Sequence, residues 1–325
     1  MESPLLEALV LRLDAKVCHV DLGGERILLP LAGKLFEAKS HEKRPLAVGD
    51  RVLVRRQGQG GAIEALLPRQ SQLTRRAASE GADRAQVIAA NVTLVLAVAA
   101  LAEPEFQPEL VDGVLAAARR ESLPTALALT KLDRARDGEA ARWSALYRSL
   151  GLPVFATSTA PAHRTGAAFA ELEALLRENR TVLCGLSGAG KSTLLNTVAP
   201  GLQLRIGSLN HVRQGRHTTT RTELLPLPGG GHVLDTPGVR SFHLFHTGAQ
   251  ELQFLFPEIG ALLPRCGYRN CLHLDEPGCA VAAARAAGAV AATRYASYCG
   301  MVTAALAAER ADAGGARPSR RGRRR

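Results

Sequence analysis

The fold of this chain is decided by one stretch, Gly185-Leu186-Ser187-Gly188-Ala189-Gly190-Lys191-Ser192, which fits the pattern G-x-x-x-x-G-K-S. It follows the apolar segment Thr181–Cys184 and precedes a helical pattern, so it predicts a strand, a glycine-rich turn and a helix. In such a turn backbone N–H groups can surround phosphate oxygens, and the N-terminus of the helix adds a favourable dipole. We expect Lys191 to reach the outer phosphates and Ser192 to offer its hydroxyl to Mg²⁺. The turn is therefore predicted to bind a nucleotide through all its residues up to Thr193.

Two further segments are typical of a site for a nucleoside triphosphate. Asp235-Thr236-Pro237-Gly238 ends an apolar run, where Asp235 can hold Mg²⁺ through water and Gly238 can meet the γ-phosphate through its N–H. Gly215–Thr220 is a polar loop that begins with glycine, and such a loop can close over Mg²⁺ by giving it a threonine hydroxyl. The candidates for this hydroxyl are Thr219 and, as alternatives, Thr218 and Thr220.

Another segment points to the base of the nucleotide. Thr130-Lys131-Leu132-Asp133 follows the apolar run Thr125–Leu129 and resembles the N-K-x-D of guanine-nucleotide binders. The Asp133 carboxylate would accept both N–H groups of the guanine edge, a donor pair that adenine lacks, and the Lys131 stem would pack on the purine face. Thr130 stands where Asn is usual and could lose a hydrogen bond. The loop predicted to complete the base site contains Thr157 and Ser158.

The order of these segments differs from that of ordinary GTPases, in which the phosphate loop comes first and the base-reading loop last. Here Thr130–Asp133 precedes Gly185–Ser192, and too little chain follows Asp235 to build the missing strands, so the sheet must be circularly permuted. Strand and helix patterns alternate from about residue 85, which predicts a parallel sheet with helices on both faces. The predicted strands are Thr93–Ala99, Thr125–Leu129, Pro153–Thr157, Thr181–Gly185, Thr222–Leu227 and Val233–Asp235, and the predicted helices are Pro108–Glu121, Glu139–Leu150, Ala167–Glu178 and Lys191–Val198.

The N-terminal segment predicts a small β-barrel. Short β-rich runs between Ala8 and Ala65, one of them Lys34–Ala38, are separated by Gly and Pro. Five or six strands of this length suit a closed barrel, and the oligonucleotide-binding (OB) type is the commonest of that size, although an SH3-like barrel fits almost as well. The predicted multidomain fold is an OB-like β-barrel at 1–72, a central α/β circularly permuted P-loop GTPase domain at 73–246, a C-terminal α-helical zinc-binding domain at 247–313 and a disordered arginine-rich tail at 314–325.

A group of three cysteines and one histidine predicts a structural zinc site. The spacing is Cys266-x₄-Cys271-x-His273-x₅-Cys279, and three thiolates with one imidazole make a closed tetrahedral ligand set. An odd number of cysteines in this group argues against disulfides. An alanine-rich helical stretch, Ala280–Glu309, follows.

The formal net charge of +11 is concentrated in the last segment, ARPSRRGRRR, which holds six arginines. Because this segment lacks core-forming residues, we expect it to be disordered and to meet a polyanion, most simply RNA phosphates; a solubilising tail is the alternative. A secretory signal and an apolar run long enough to span a bilayer are both missing from the sequence. We expect a cytoplasmic monomer without a membrane partner.

Taken together, these segments resemble the ribosome small-subunit-dependent GTPase family of bacteria. The resemblance covers nearly the whole chain, including Val48-Gly49-Asp50 and Arg294-Tyr295-Ala296-Ser297-Tyr298. It implies an OB barrel, a permuted GTPase domain and a zinc domain, with GTP or GDP, Mg²⁺ and one structural Zn²⁺ as ligands. It also implies a GTPase that binds the small ribosomal subunit and its rRNA late in assembly and is strongly activated by it.

The catalytic expectation concerns the water that attacks the γ-phosphate. Lys191 would neutralise charge on the transferred phosphoryl group. Val239 stands where Ras-like enzymes place the glutamine that orients this water, so we expect slow intrinsic turnover. His217 is the candidate replacement, placed by its loop when the subunit is bound.

Two other classes of function stay open at this point. The chain could be an RNA-binding assembly adaptor with a vestigial nucleotide site, although the intact Gly190, Lys191 and Ser192 argue against this. It could also be an ATP-dependent P-loop enzyme such as a kinase, against which Asp133 argues. Measurable GTP turnover would exclude the first, and competition between labelled GTP and ATP would test the second.

Overall fold

The computed structural model describes residues 4–31, 46–58, 60–76, 85–160, 166–200, 223–235 and 247–315. The chain divides into two compact units between residues 245 and 246.

The first unit begins with five antiparallel strands in the order β3-β2-β1-β4-β5. These strands are β1 (Leu5–Leu13), β2 (Val17–Leu22), β3 (Glu25–Pro30), β4 (Arg51–Gln57) and β5 (Gly60–Leu66). The first half of β1 pairs with β4 and its second half with β2, with a bulge between Val10 and Arg12. Alternate residues point inward, among them Cys18, Val20 and Val52, and form a separate core. β3 and β5 pack beside each other, which brings the two ends of this five-stranded order together.

The OB type of this small β unit stays a prediction. The strand predicted at Lys34–Ala38 lies outside the described residues.

The turn Val48-Gly49-Asp50 connects the small β unit to the segment that follows it. Buried Asp50 accepts two hydrogen bonds from Arg69, at 2.7 and 3.0 Å, and a Cβ at Gly49 (φ +90°) would collide with the Ala90 carbonyl oxygen.

A hairpin that the sequence pattern did not predict follows the small β unit. Its strands are β6 (Gln72–Arg76) and β7 (Ala85–Ala90), which pair antiparallel in a separate sheet. The short, arginine-containing β6 has little apolar alternation, so its pairing is decided by tertiary contacts rather than by pattern.

The central sheet has the strand order β10-β9-β8-β11-β13-β12. Its strands are β8 (Leu94–Ala100), β9 (Thr125–Thr130), β10 (Val154–Ala156), β11 (Arg180–Cys184), β12 (Glu223–Pro226) and β13 (His232–Asp235). The first five in this order are parallel, as predicted, whereas β12 is antiparallel to β13. The prediction of an all-parallel sheet is therefore wrong for β12. Its link to β13, residues 227–231, is a short turn, and a parallel pair would need a long crossover.

Helices cover both faces of this sheet, as the alternating pattern predicts. They are α1 (Pro108–Arg120), α2 (Glu139–Ser149), α3 (Ala167–Arg177) and α4 (Lys191–Val198). One core joins the sheet to α1 and α2 through residues such as Val111 and Tyr147. The other joins it to α3 and α4 through residues such as Leu172 and Leu194. The sheet is thus buried on both sides, which leaves its strand ends to form a site.

The small β unit and the central sheet are continuous, because β12 also pairs with β1 at Arg12 and Glu223. The carboxylate of Glu223 accepts from Arg26 Nη2 at 2.6 Å and from Arg12 Nη1 at 3.4 Å. Glu223 is the first residue of β12, so these ion pairs hold the start of that strand against the strands of the small β unit.

The second unit is helical. Its helices are α5 (Ala249–Leu255), α6 (Pro257–Gly260), α7 (Ala280–Ala286) and α8 (Ala292–Gly315). The stretch Ala280–Glu309 thus forms two helices. Two residues after the end of α7 lies Gly288 (φ +76°), whose N–H donates to the Arg285 carbonyl at 3.0 Å, while the Ala289 N–H donates to the Ala284 carbonyl at 2.9 Å. This pair of bonds around a left-handed glycine ends the helix.

Candidate functional site

The predicted nucleotide-binding residues of the first unit meet at one edge of the central sheet. Thr130 ends β9, Thr157 follows β10, Gly185 follows β11 and Asp235 ends β13. Since these four strands are parallel, their carboxyl ends lie at the same edge, where open α/β sheets bind ligands.

The phosphate loop runs from Gly185 into α4. A Cβ at Gly185 would collide with the carbonyl oxygen of Val98, so glycine is required where the loop leaves the strand. Gly190, with φ +88°, precedes the first residue of α4 in the left-handed conformation. The loop therefore leads directly to a helix N-terminus, where unpaired N–H groups and the helix dipole favour a phosphate.

Lys191 and Ser192 lie at the start of α4 and are buried, with 7% and 5% of their surfaces exposed. The Lys191 ammonium donates to the carbonyl oxygens of Gly185 and Leu186, at 2.8 and 2.7 Å, so the cation lies over its own loop. The Ser192 hydroxyl is buried and has no hydrogen-bond partner among the described residues. A buried hydroxyl without a partner is costly, and a hard cation such as Mg²⁺ would satisfy its oxygen. This residue fits the predicted magnesium ligand.

Thr130 connects the base loop to the phosphate loop. Its buried hydroxyl donates to the carbonyl oxygen of Ala189 at 2.6 Å. Thr in place of Asn is expected to lose a hydrogen bond. The structure shows that the Thr130 hydroxyl makes a different one, to the phosphate loop.

Lys131 and Asp133 lie in the base loop, residues 130–133, and Ser158, from the segment after β10, contacts Asp133. Lys131 has the left-handed backbone (φ 57°), and its ammonium donates to the carbonyl oxygen of Glu103. The buried Ser158 hydroxyl donates to Asp133 Oδ1, and the Thr157 N–H donates to the Leu129 carbonyl at 2.7 Å. Because a carboxylate can accept several hydrogen bonds, Asp133 keeps acceptor capacity for a base while Ser158 fixes its orientation.

Several predicted residues of this site lie outside the part of the chain that the structure describes. They are His217, Thr218, Thr219, Thr220, Gly238 and Val239. For Asp235 the structure describes the backbone at the end of β13.

The predicted zinc ligands of the second unit lie together. The ligand atoms of Cys266, Cys271, His273 and Cys279 are all within 4.8 Å of one another, and three of the four residues are buried. His273 Nδ1 is 3.6 Å from Cys266 Sγ and 3.5 Å from Cys279 Sγ. A tetrahedral zinc site with ordinary Zn–N and Zn–S bonds has an N···S edge of about 3.5 Å, so these spacings fit the metal.

The electrostatics of this cluster also fit a cation. Burial lowers the pKa of His273, which favours the neutral imidazole that a metal needs. Burial raises the pKa of the Cys271 thiol to about 12, so a thiolate at this position requires a compensating positive charge. Backbone N–H groups point at two of the sulfur atoms: Ala280 N is 3.4 Å from Cys266 Sγ and Ala282 N is 3.5 Å from Cys279 Sγ.

The loop that carries these ligands is held by side chains to which the sequence pattern gave no role in the site. Tyr298 and Tyr295, on α8, donate to the carbonyl oxygens of Leu272 (2.9 Å) and His273 (2.7 Å). Glu276 accepts from two N–H groups of the same loop, and Gln253, on α5, contacts His273. The sequence signal that could have found them is the pair Tyr295 and Tyr298, because two residues three positions apart lie on one face of a helix.

Within the described residues, we find no helix that combines the length and the apolar character needed to cross a bilayer.

Fold and site together define a P-loop GTPase with a circularly permuted sheet, since the base-reading strand β9 precedes the phosphate loop in the chain and lies in the same sheet. A family model described as RsgA GTPase matches residues 66–245. The Small ribosomal subunit biogenesis GTPase RsgA of Gemmatimonas aurantiaca is 37% identical over 279 residues, which cover 85% of this chain and 89% of that protein. This chain therefore belongs to the RsgA GTPase family, and it is a GTP hydrolase.

Two solved structures resemble the fold. YjeQ from Thermotoga maritima matches with a TM-score of 0.74 and 31% identity, over 93% of this chain and 99% of that chain. YloQ, described as a circularly permuted GTPase, matches with a TM-score of 0.70 and 25% identity, over 94% of this chain and 96% of that chain. The predicted circular permutation is confirmed.

Proposed function

We propose that this GTPase binds the small ribosomal subunit, acts in its late assembly, and hydrolyses GTP to GDP and phosphate with a turnover that the subunit stimulates. The observation that carries the proposal is the similarity to proteins named small ribosomal subunit biogenesis GTPases, which extends over 85% of the chain. The phosphate loop supports it, because its lysine and serine are buried at the N-terminus of α4.

In this proposal the phosphate loop, residues 185–193, binds the phosphates through its N–H groups and through the Lys191 ammonium. Lys191 must exchange its two loop carbonyl partners for phosphate oxygens, which keeps the cation in place and adds a charge-assisted contact. Asp133 accepts from the guanine edge, oriented by Ser158, and Lys131 packs on the base. The other proposed nucleotide contacts are Thr130, Thr157, Asp235 and Gly238.

Ser192 and one of the threonines at 218–220 would hold Mg²⁺, and Asp235 would hold it through water. When bound, Mg²⁺ supplies positive charge that neutralises the phosphate oxygens. The chain's own part is to fix the triphosphate in line for attack by water and to keep that water oriented. We assign the orientation of water to His217, because the apolar Val239 cannot accept or donate a hydrogen bond.

The remaining parts of the chain are proposed to contact rRNA or to stabilise the fold. The OB-like barrel at 1–72 and the arginine-rich tail at 314–325 would contact rRNA, and the GTPase domain would cover 73–246. The unit at 247–313 would bind one structural Zn²⁺ through the cluster of Cys266, Cys271, His273 and Cys279. We place the protein in the cytoplasm, as a monomer, where small ribosomal subunits are assembled.

The test is GTP turnover by the purified full-length protein, alone and with small ribosomal subunits, with large subunits and ATP as controls. We expect slow hydrolysis that rises by orders of magnitude only with small subunits. The variant Lys191→Ala should lose hydrolysis under all conditions, whereas His217→Ala should lose only the stimulated part. Hydrolysis that small subunits do not raise would contradict the proposed partner, and unchanged stimulation of His217→Ala would contradict the role of His217.

A further inference from the structure

The side chain of Gln253 reaches the metal cluster from α5, outside the loop that carries the ligands. Its Oε1 lies 2.9 Å from Nε2 of His273, and the two residues are 2% and 0% exposed. Water is therefore largely excluded from this contact, and the hydrogen bond must be made by the two side chains themselves.

The orientation of the Gln253 amide is fixed by a second contact. Its Nε2 donates to the main-chain carbonyl oxygen of Gln250 at 2.8 Å. A rotated amide would place oxygen against that carbonyl, and two acceptors cannot bond each other. The oxygen of Gln253 is therefore the atom that faces His273.

This orientation decides which nitrogen of His273 carries the hydrogen. An amide oxygen can only accept, so Nε2 must be the N–H, and Nδ1 of the neutral ring keeps its lone pair. Nδ1 is also the nitrogen that faces the sulfur atoms, at 3.5 and 3.6 Å. Two separate features, the tautomer and the ring orientation, thus select the same atom.

We propose that Gln253 is a positioning residue of the metal site, which holds His273 with Nδ1 as the ligand atom for Zn²⁺. The inference rests on the zinc site of the proposed function and adds the ligand atom and its support. Partners of this kind orient a ligating imidazole and make it more basic, and their loss costs about 10- to 100-fold in metal affinity.

The experiment measures zinc affinity of the full-length protein by competition with the chromogenic chelator 4-(2-pyridylazo)resorcinol. Gln253→Ala should weaken zinc binding about 10- to 100-fold. Phe254→Ala is the control, since it truncates a neighbouring side chain of the same helix that is 59% exposed. It should bind zinc like the parent chain. Equal affinity of Gln253→Ala and the parent would overturn the proposal.

A second measurement reads the coordination of His273 in the unaltered protein, and a variant serves only to assign one signal. Long-range ¹H–¹⁵N spectra of the zinc-loaded chain, with His273→Asn used to assign the signal, should show His273 protonated at Nε2 and coordinated at Nδ1. Coordination through Nε2 overturns the role of Gln253 and leaves the zinc site standing. Failure of the parent chain to retain zinc overturns both, so the two proposals fail in distinguishable ways.

Discussion

Replacing Thr130 by Val tests the connection between the base loop and the phosphate loop. The Thr130 hydroxyl donates to the Ala189 carbonyl at 2.6 Å, and the two residues are 4% and 1% exposed. Val keeps the branched shape of the side chain and removes the donor. The surrounding packing is therefore retained, and the substitution acts mainly on one hydrogen bond.

The expected magnitude follows from burial. Removing one partner of a buried hydrogen bond costs about 1–3 kcal/mol, because the remaining polar group is not solvated. If the hydrogen-bonded arrangement of the phosphate loop is what binds nucleotide, this cost appears as lost affinity, which is about 5- to 150-fold in the dissociation constant. The effect should be similar for GDP and GTP, since both place phosphates in this loop.

The assay is titration of a fluorescent GDP analogue into the full-length protein. Thr130→Val should bind the analogue about 5- to 150-fold more weakly than the parent. Thr130→Ser keeps the hydroxyl, and its dissociation constant should stay within a few-fold of that of the parent. Unaltered affinity of Thr130→Val would refute the reasoning. Equal losses in the two variants would refute it as well, because Thr130→Ser keeps the hydroxyl and the loss would then not depend on the hydrogen bond.

Three other variants test further parts of the first unit. Asp133→Ala should lose the preference for GTP over ATP in competition binding, because it removes the acceptor that reads the guanine edge; a retained preference contradicts the assignment. Glu223→Gln removes ion pairs to Arg12 and Arg26, and should lower the melting temperature by about 2–4 °C, for a loss of about 1 kcal/mol, with a smaller effect in high salt. A melting temperature that does not change at low salt would show that these ion pairs do not contribute to stability. Burial lowers the pKa of His232, so the unfolded chain takes up a proton first as the pH falls through about 6.5, and stability decreases toward the lower pKa of the folded state. His232→Gln should reduce this decrease in urea unfolding at about pH 7.5 and 5.5, and equal pH dependence in both proteins counts against the argument.

The common edge at which the predicted nucleotide-binding residues lie was predictable because the information for it is local. Each segment places a chemically informative residue just after an apolar strand, and parallel strands share one edge. Thr130 and Gly185 therefore lie at the same edge of the sheet although more than fifty residues separate them. The clustering of the four predicted zinc ligands was predictable for the same reason, since they lie within one short loop.

The local sequence pattern could not predict contacts between residues that are distant in sequence. The bond from Thr130 to Ala189 joins positions 59 apart, and Gln253 meets His273 across 20 positions. Neither residue belongs to a periodic pattern that differs from ordinary packing. The antiparallel direction of β12 likewise depends on its short turn and on the partner strand β1, which the local pattern does not contain.

The pairing of β1 with β12 has a consequence for how the chain folds during synthesis. Arg12 and Glu223 are 211 positions apart. At a translation rate of about 5–20 residues per second, about 10–40 s pass between the synthesis of β1 and that of its partner β12. An unpaired strand edge is a site for wrong pairing, and distant contacts fold slowly. The pairing between the small β unit and the central sheet therefore forms late, and the nascent chain is exposed to aggregation at β1 until it does.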